Sequence, residues 1–134
     1  MHTHKFILKR GEIWLVNFAP LDKTPPKGHE QDGTRPAVVV SSTFVDTSKL
    51  DQAVVVPGTK KGRINQSGKL VPNHLQVAPS PENGLDLTTY FMSEQIRSVA
   101  VSPRFKHKIG VLSEADLYEL EDILIMLLDL GPKD

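Results

Sequence analysis

Two short runs of β-branched residues, AVVV at 37–40 and again at 53–56, constrain the fold of this chain more than any other feature. Branching at Cβ favours extended backbone. Neither run has a polar residue at alternate positions, so a strand built from it is apolar on both faces and must be covered on both. Arg35-Pro36 stands immediately before the first run, and Pro57-Gly58-Thr59 follows the second. Ten prolines and nine glycines punctuate the rest of the chain into similar short apolar pieces, an all-β rhythm. Further strands are expected at 12–18 (EIWLVNF), at 73–77, and at 88–92 and 95–99, the last two as one bent strand. Two long polar loops separate them, at 19–33 and 60–69. Loops of that length in a small domain commonly carry function.

The period changes near the C-terminus. Ser113-Glu114-Ala115-Asp116 fits a capping box, opening a helix expected to run to about Leu130, with Gly131-Pro132 as its stop. Leu117, Leu120, Leu124 and Leu127 form one stripe. Residues 123–128 are apolar nearly all round, where a surface helix would keep a polar face. That helix is expected to pack on two sides. One side meets its own sheet; the other meets either a deep core groove or a second subunit.

The 134 residues are expected to form one domain over 1–134, with residues 1–8 as a flexible N-terminal extension. There are no cysteines, which excludes disulfides, thiol chemistry and a cysteine-based zinc site. The opening MHTHKFILKR holds only a short apolar run, and no window reaches the roughly 18 apolar residues of a spanning helix, so a cytoplasmic protein is expected. The net charge of zero hides an uneven distribution. Residues 52–81 carry Lys60, Lys61, Arg63 and Lys69 with no acid, and 95–113 carry Arg97, Arg104, Lys106 and Lys108 with none. The acids gather in the helix, including Glu119, Glu121 and Asp122. On charge alone, the basic stretches read as solvated loops or as a patch for an anionic partner.

The strong catalytic motifs are missing: there is no phosphate loop, no nucleophile elbow and no zinc helix. His2 and His4 read as solvated histidines of the terminus, and the β-rich part holds no acid cluster to support a two-metal nuclease site. What remains stands at strand–loop junctions. Pro36 holds Arg35 in extended backbone, giving its planar fork of donors a fixed origin suited to a phosphate. Thr59 presents a hydroxyl where the second β-branched run ends. His29 and Glu30 lie in the glycine-bounded loop leading to Arg35. Each piece also has an ordinary reading, as an ion pair, a turn and a solvated pair. Together they form a set capable of phosphoryl transfer without a metal.

Five blocks, in order, are KRGEIWLVNFAP (9–20), GHEQDGTRPAVVVSS (28–42), AVVVPGT (53–59), SEQIRSV (93–99) and IGVLSEADLYELEDIL (109–124). In these blocks the chain resembles the MazF/PemK family of toxin endoribonucleases of type II toxin–antitoxin pairs. G-x-E-Q-x-G-x-R-P is the most specific element, and the histidine of GHEQ is similar to the PemK branch. The resemblance implies a mainly β fold, an SH3-like small barrel with a C-terminal α-helix of the CcdB/PemK kind. It also implies a homodimer, single-stranded RNA as substrate, no metal or other cofactor, and an antitoxin whose disordered acidic tail covers the RNA groove. Arg35 and Thr59 fall on the family's catalytic arginine and threonine, and His29 and Glu30 on a loop implicated in acid–base work. Glu94 falls where PemK-like members carry an aspartate. Met92 replaces the arginine that the PemK branch carries two residues earlier, which favours an Arg35/Thr59 scheme. Gln31, Lys60, Lys61, Arg63, Lys69, Glu94 and Gln95 are the expected RNA-binding residues. Tyr90 or Phe91 is expected to stack on a base, and Trp14 to pack in the core. The alternatives are a CcdB-like toxin directed at gyrase, a catalytically inactive relative, and an SH3-like adaptor.

Overall fold

The computed structural model describes residues 7–19, 33–43 and 47–132. Among the described residues, seven strands form the body: β1 Glu12–Asn17, β2 Thr34–Val39, β3 Gln52–Thr59, β4 His74–Val77, β5 Thr89–Met92, β6 Arg97–Ala100 and β7 Phe105–Val111. All pair antiparallel, in the order β4-β5-β3-β2-β1-β7, with β6 on the first half of β3, along the edge away from β2. Among the described residues the path has two ends, so strand pairing does not close the barrel there. A backbone bond from Val111 N–H to the Glu82 carbonyl (2.9 Å) lays the 82–87 segment along β7 instead.

Both faces of the sheet are covered, as the β-branched runs require. Ala37, Val39, Ala53 and Val55 pack on one side with Trp14, Val16, Val99 and Phe105. Val38, Val40 and Val56 pack on the other with Ile13, Phe91, Leu120 and Leu124. A helix, Glu114–Leu127, covers that second face. Its cap is the expected one: Ser113 Oγ accepts from the Asp116 amide at 3.1 Å. It ends three residues short of Leu130, with Leu128 as C-cap. Within the stripe, Leu120 and Leu124 are buried, whereas Leu127 is 42% exposed.

Several boundaries moved. The first β-branched strand begins at Thr34, taking Arg35 and Pro36 into the ladder, and the second continues through Pro57 and Gly58 to Thr59. The expected single bent strand over 88–99 is two strands, broken by a 3-10 turn at Ser93–Gln95. The second basic stretch is not a solvated loop. It supplies β6 and all of β7, which two irregularities in pairing with β1 bend along its length. Among the described residues, no helix is long and apolar enough to cross a membrane.

Glu12 is buried at the start of β1. Burial works to raise its pKa. The Lys9 amide (2.9 Å), the Trp14 indole (3.1 Å) and the Lys108 ammonium (3.1 Å) outweigh that, and the carboxyl sits below its ordinary value. A folded-state pKa below the unfolded one adds stability that is complete above the ordinary carboxylate range and lost as pH falls through the folded value. Glu12→Gln is therefore expected to destabilise the fold by about 1–3 kcal/mol at pH 7. Urea unfolding should show that gap shrinking as pH is lowered below 4; a gap independent of pH would mean that the charge of Glu12 plays no part.

Candidate active site

A groove of about 810 Å³ opens where β2 begins and β3 ends. Thr34, Arg35 and Pro36 of β2 and Gly58, Thr59 and Lys60 at the end of β3 form one wall. Residues 84–87 and His107, Lys108 and Ile109 of β7 form the other, with Leu15 of β1 between them. Thus Arg35 and Thr59, 24 positions apart in the chain, share one cavity.

The sheet register explains the meeting. Ala37 pairs with Pro57, so two residues further along both antiparallel strands Arg35 arrives opposite Thr59. Arg35 Nη1 donates to the Gly58 carbonyl at 3.4 Å, holding the guanidinium against the end of β3. Gly58 has to be a glycine here: a Cβ would come within 2.5 Å of the Thr89 methyl and 3.0 Å of the Phe91 ring. Thr59 Oγ1 accepts from the Lys61 amide at 3.4 Å, a long contact that leaves the hydroxyl's proton available to donate. Guanidinium, hydroxyl and the Lys60 ammonium together make a wall suited to a phosphodiester.

The far wall depends on close backbone approach. Gly84 has φ +66°, and a Cβ there would lie 2.2 Å from the Ile109 carbonyl oxygen. Asn83 is buried and organises this segment. Its Oδ1 accepts from the Ser80 (2.9 Å) and Leu85 (3.0 Å) amides, and its Nδ2 donates to the Ala78 carbonyl (2.9 Å).

His29, Glu30 and Gln31 lie outside the described residues. Of the other expected RNA contacts, only Lys60 lines the groove. Lys61, Arg63 and Lys69 are exposed on the neighbouring 60–70 segment. That segment is an ordered turn rather than an open loop: Asn65 Oδ1 accepts from the Ser67 and Lys69 amides (3.0 and 3.1 Å), and Ile64 bridges Leu70. Glu94 is not in the groove. Its carboxylate accepts from Asn73 Nδ2 (2.7 Å) and pairs with His74 Nε2 (3.1 Å), while His74 Nδ1 accepts from the Arg63 amide (3.4 Å). This chain of bonds ties the basic turn to the end of β5. Gln95, beside Glu94 in the 3-10 turn, does not line the groove either. Phe91 is fully buried, which overturns its expected stacking role; Trp14 is buried as expected, and Tyr90 is half-buried beside Gly62.

The remaining arginines of the second basic stretch have structural partners. Arg104 Nη1 donates to the carbonyls of Asn17 (2.8 Å) and Ala19 (3.0 Å), and the Arg97 guanidinium lies 5.4 Å from the Phe18 ring centre. Sequence reasoning passed over Asp86 and His107. Asp86 has no local signal. His107 stands between two lysines that were counted in the basic stretch, and was not itself singled out.

A sequence profile describing PemK-like, MazF-like toxins of type II toxin–antitoxin systems matches residues 9–128. Among solved structures, MazF from Deinococcus radiodurans superposes with a TM-score of 0.73 at 22% identity, covering 94% of this chain and 100% of that one. The Mycobacterium tuberculosis toxin MazF-mt6 gives 0.65 at 19%, covering 90% and 99%. An endoribonuclease in complex with its cognate antitoxin, from a mycobacterial species, gives 0.63 at 19%, covering 94% and 99%. At these identities the structural likeness speaks for the fold alone.

Proposed function

The chain belongs to the PemK-like, MazF-like toxin family of type II toxin–antitoxin systems, and on that premise we propose that it is a cytoplasmic endoribonuclease. It cuts single-stranded RNA by attack of the 2′-hydroxyl on the adjacent phosphate. The observation that carries this reading is the convergence of Arg35 and Thr59 on one groove. Arg35 stabilises the charge that builds on the phosphate oxygens. The 2′-OH proton goes to His29 or Glu30, or to Arg35 itself with help from Thr59. The nucleophile belongs to the substrate, so the scheme requires no metal. The products are a 2′,3′-cyclic phosphate and a 5′-hydroxyl.

Lys60, Lys61, Arg63 and Lys69 hold the RNA backbone, so binding weakens as salt rises. An antitoxin with an acidic tail occupies the same basic rim. The protein works as a homodimer. Tyr118 in the first half of the helix, Met126 near its end and Leu130 just beyond it are 70%, 77% and 56% exposed, and Tyr118 and Leu130 line a trough of about 490 Å³ between the helix and Val40, Val54 and Ile96. A second copy covering that apolar face would remove it from water.

The test is cleavage of mixed-sequence RNA in EDTA, with both new ends mapped. Cuts at a recurrent motif with cyclic phosphate and 5′-hydroxyl ends are expected. A single 2′-deoxy nucleotide on the 5′ side of the cut should leave that position intact. Cutting there despite the substitution would eliminate the 2′-OH mechanism. No cleavage by folded dimer would favour a protein-directed toxin or an inactive relative.

A further inference from the structure

We propose that Glu94 is a positioning residue for RNA: it clamps both legs of the basic turn at 63–71, and through that turn it sets how tightly the substrate is held. This rests on the endoribonuclease reading above and gives Glu94 a part in binding rather than in proton transfer. The turn is shaped by its own backbone. The Arg63 carbonyl accepts from the Val71 amide at 2.9 Å, the Lys69 carbonyl from the Asn65 amide at 2.8 Å, and the Asn65 carbonyl from the Gly68 amide at 3.0 Å. Arg63 and Lys69 lie within it and Lys60 and Lys61 on the approach to it, all exposed. Those bonds fix the shape of the turn. They do not fix where it stands on the body of the protein.

Glu94 supplies that anchor. On the outgoing leg, its Oε1 accepts from Asn73 Nδ2 at 2.7 Å and its Oε2 meets His74 Nε2 at 3.1 Å. The Ser93 amide adds a bond to the Asn73 carbonyl at 3.1 Å. On the incoming leg, the Arg63 amide donates to His74 Nδ1 at 3.4 Å. A backbone N–H can only donate, so Nδ1 holds no proton. The ring's proton stands on Nε2, facing the carboxylate. At its length the Arg63 bond is weak by itself. It is kept in place because the ring that accepts it is buried and held from its other nitrogen by Glu94. Gly62 completes the seat: a Cβ there would lie 2.7 Å from the side chains of Leu70 and Tyr90.

Both oxygens of the carboxylate are engaged, and Glu94 does not line the groove that holds Arg35 and Thr59. Its influence on RNA therefore passes through the turn. Long cationic side chains on a loosened turn have to be ordered when RNA arrives. That weakens binding and leaves the chemical step alone.

The test is steady-state cleavage, over a range of salt, of one RNA whose cut site the mapping above defines. Glu94→Ala is expected to raise KM by about 3–10-fold and to leave kcat within about twofold. The dependence of KM on salt should become shallower, since fewer phosphates are held. Glu94→Gln keeps the size of the side chain but offers one oxygen to two donors, so its KM should fall between those of wild type and Glu94→Ala. In a background of Lys61→Ala, Arg63→Ala and Lys69→Ala, the turn has lost these cations, and Glu94→Ala should change KM by less than about twofold. A fall in kcat of about 10²-fold or more at saturating RNA would make Glu94 a proton-transfer group and overturn the proposal. An undiminished effect on KM in the triple variant would overturn it too, because Glu94 would then touch RNA directly. So would an unchanged KM in Glu94→Ala. Failure of the wild-type protein to cut RNA would overturn the endoribonuclease reading itself, and this role with it. Circular dichroism melts show whether the variants are folded at the assay temperature; if Glu94→Ala is not, Glu94→Gln and Asn73→Ala carry the same comparison of KM with kcat.

Discussion

Arg35→Ala is expected to lower the rate of RNA cleavage by about 10²–10³-fold, the usual cost of removing a donor aimed at developing charge. The Tm should change by no more than about 2 °C, the range of a substitution outside the core. The two halves of this expectation have separate grounds. Arg35 sits at the beginning of β2, half-buried, with its guanidinium 3.4 Å from the Gly58 carbonyl. At that length the hydrogen bond is a weak one. The backbone of the strand is held instead by the β1 and β3 ladders and by the buried run from Ala37 to Val40. Arg35→Lys should recover little activity, because an ammonium offers a point charge where the site presents a planar fork. Normal cleavage by Arg35→Ala would remove the arginine from the mechanism. A large fall in Tm with proportional loss of activity would make it a structural residue.

The strands and the helix were legible because their signals are local. Four consecutive β-branched or small residues require cover on two sides, and a serine before an acidic turn is a cap wherever it occurs. The ends of those strands were less legible. Arg35-Pro36 reads as punctuation, yet Pro36 fits the ladder opposite Leu15. β7 was hidden altogether: Lys106, His107 and Lys108 give it the composition of a loop, because its middle is exposed at the end of the sheet, where charged residues are the usual choice. Arg35 and Thr59 were found as separate residues, and the sequence offered a reason for each. Their juxtaposition depends on the Ala37–Pro57 register, which no single segment encodes. Glu94 went the other way. Its position suggested RNA, but the fold places it on His74 and Asn73, where it fixes the basic turn.

Phe91→Ala is expected to cost about 3–5 kcal/mol of stability, the usual loss for emptying a buried phenylalanine site. For 134 residues that corresponds to a fall in Tm of roughly 10–20 °C, read from a thermal melt of the wild type beside the variant. Phe91 has no exposed surface and packs with Val56, Leu75, Leu120 and Leu124 beneath the helix. It also pairs with Gly58 across the β3–β5 ladder, and its ring fills the space that a side chain at Gly58 would take. The residue whose carbonyl meets Arg35 is therefore seated on the core through Phe91. At a temperature where the variant remains folded, cleavage should fall, but by less than in Arg35→Ala, since the guanidinium is still present and only its support has loosened. A variant with wild-type Tm would mean that the core closes over the missing ring. A variant that melts early but cuts at the wild-type rate would mean that Gly58 is held by its ladder alone. The expected result lies between these and makes apolar packing, rather than the polar contacts of the groove, the source of the position from which Arg35 acts.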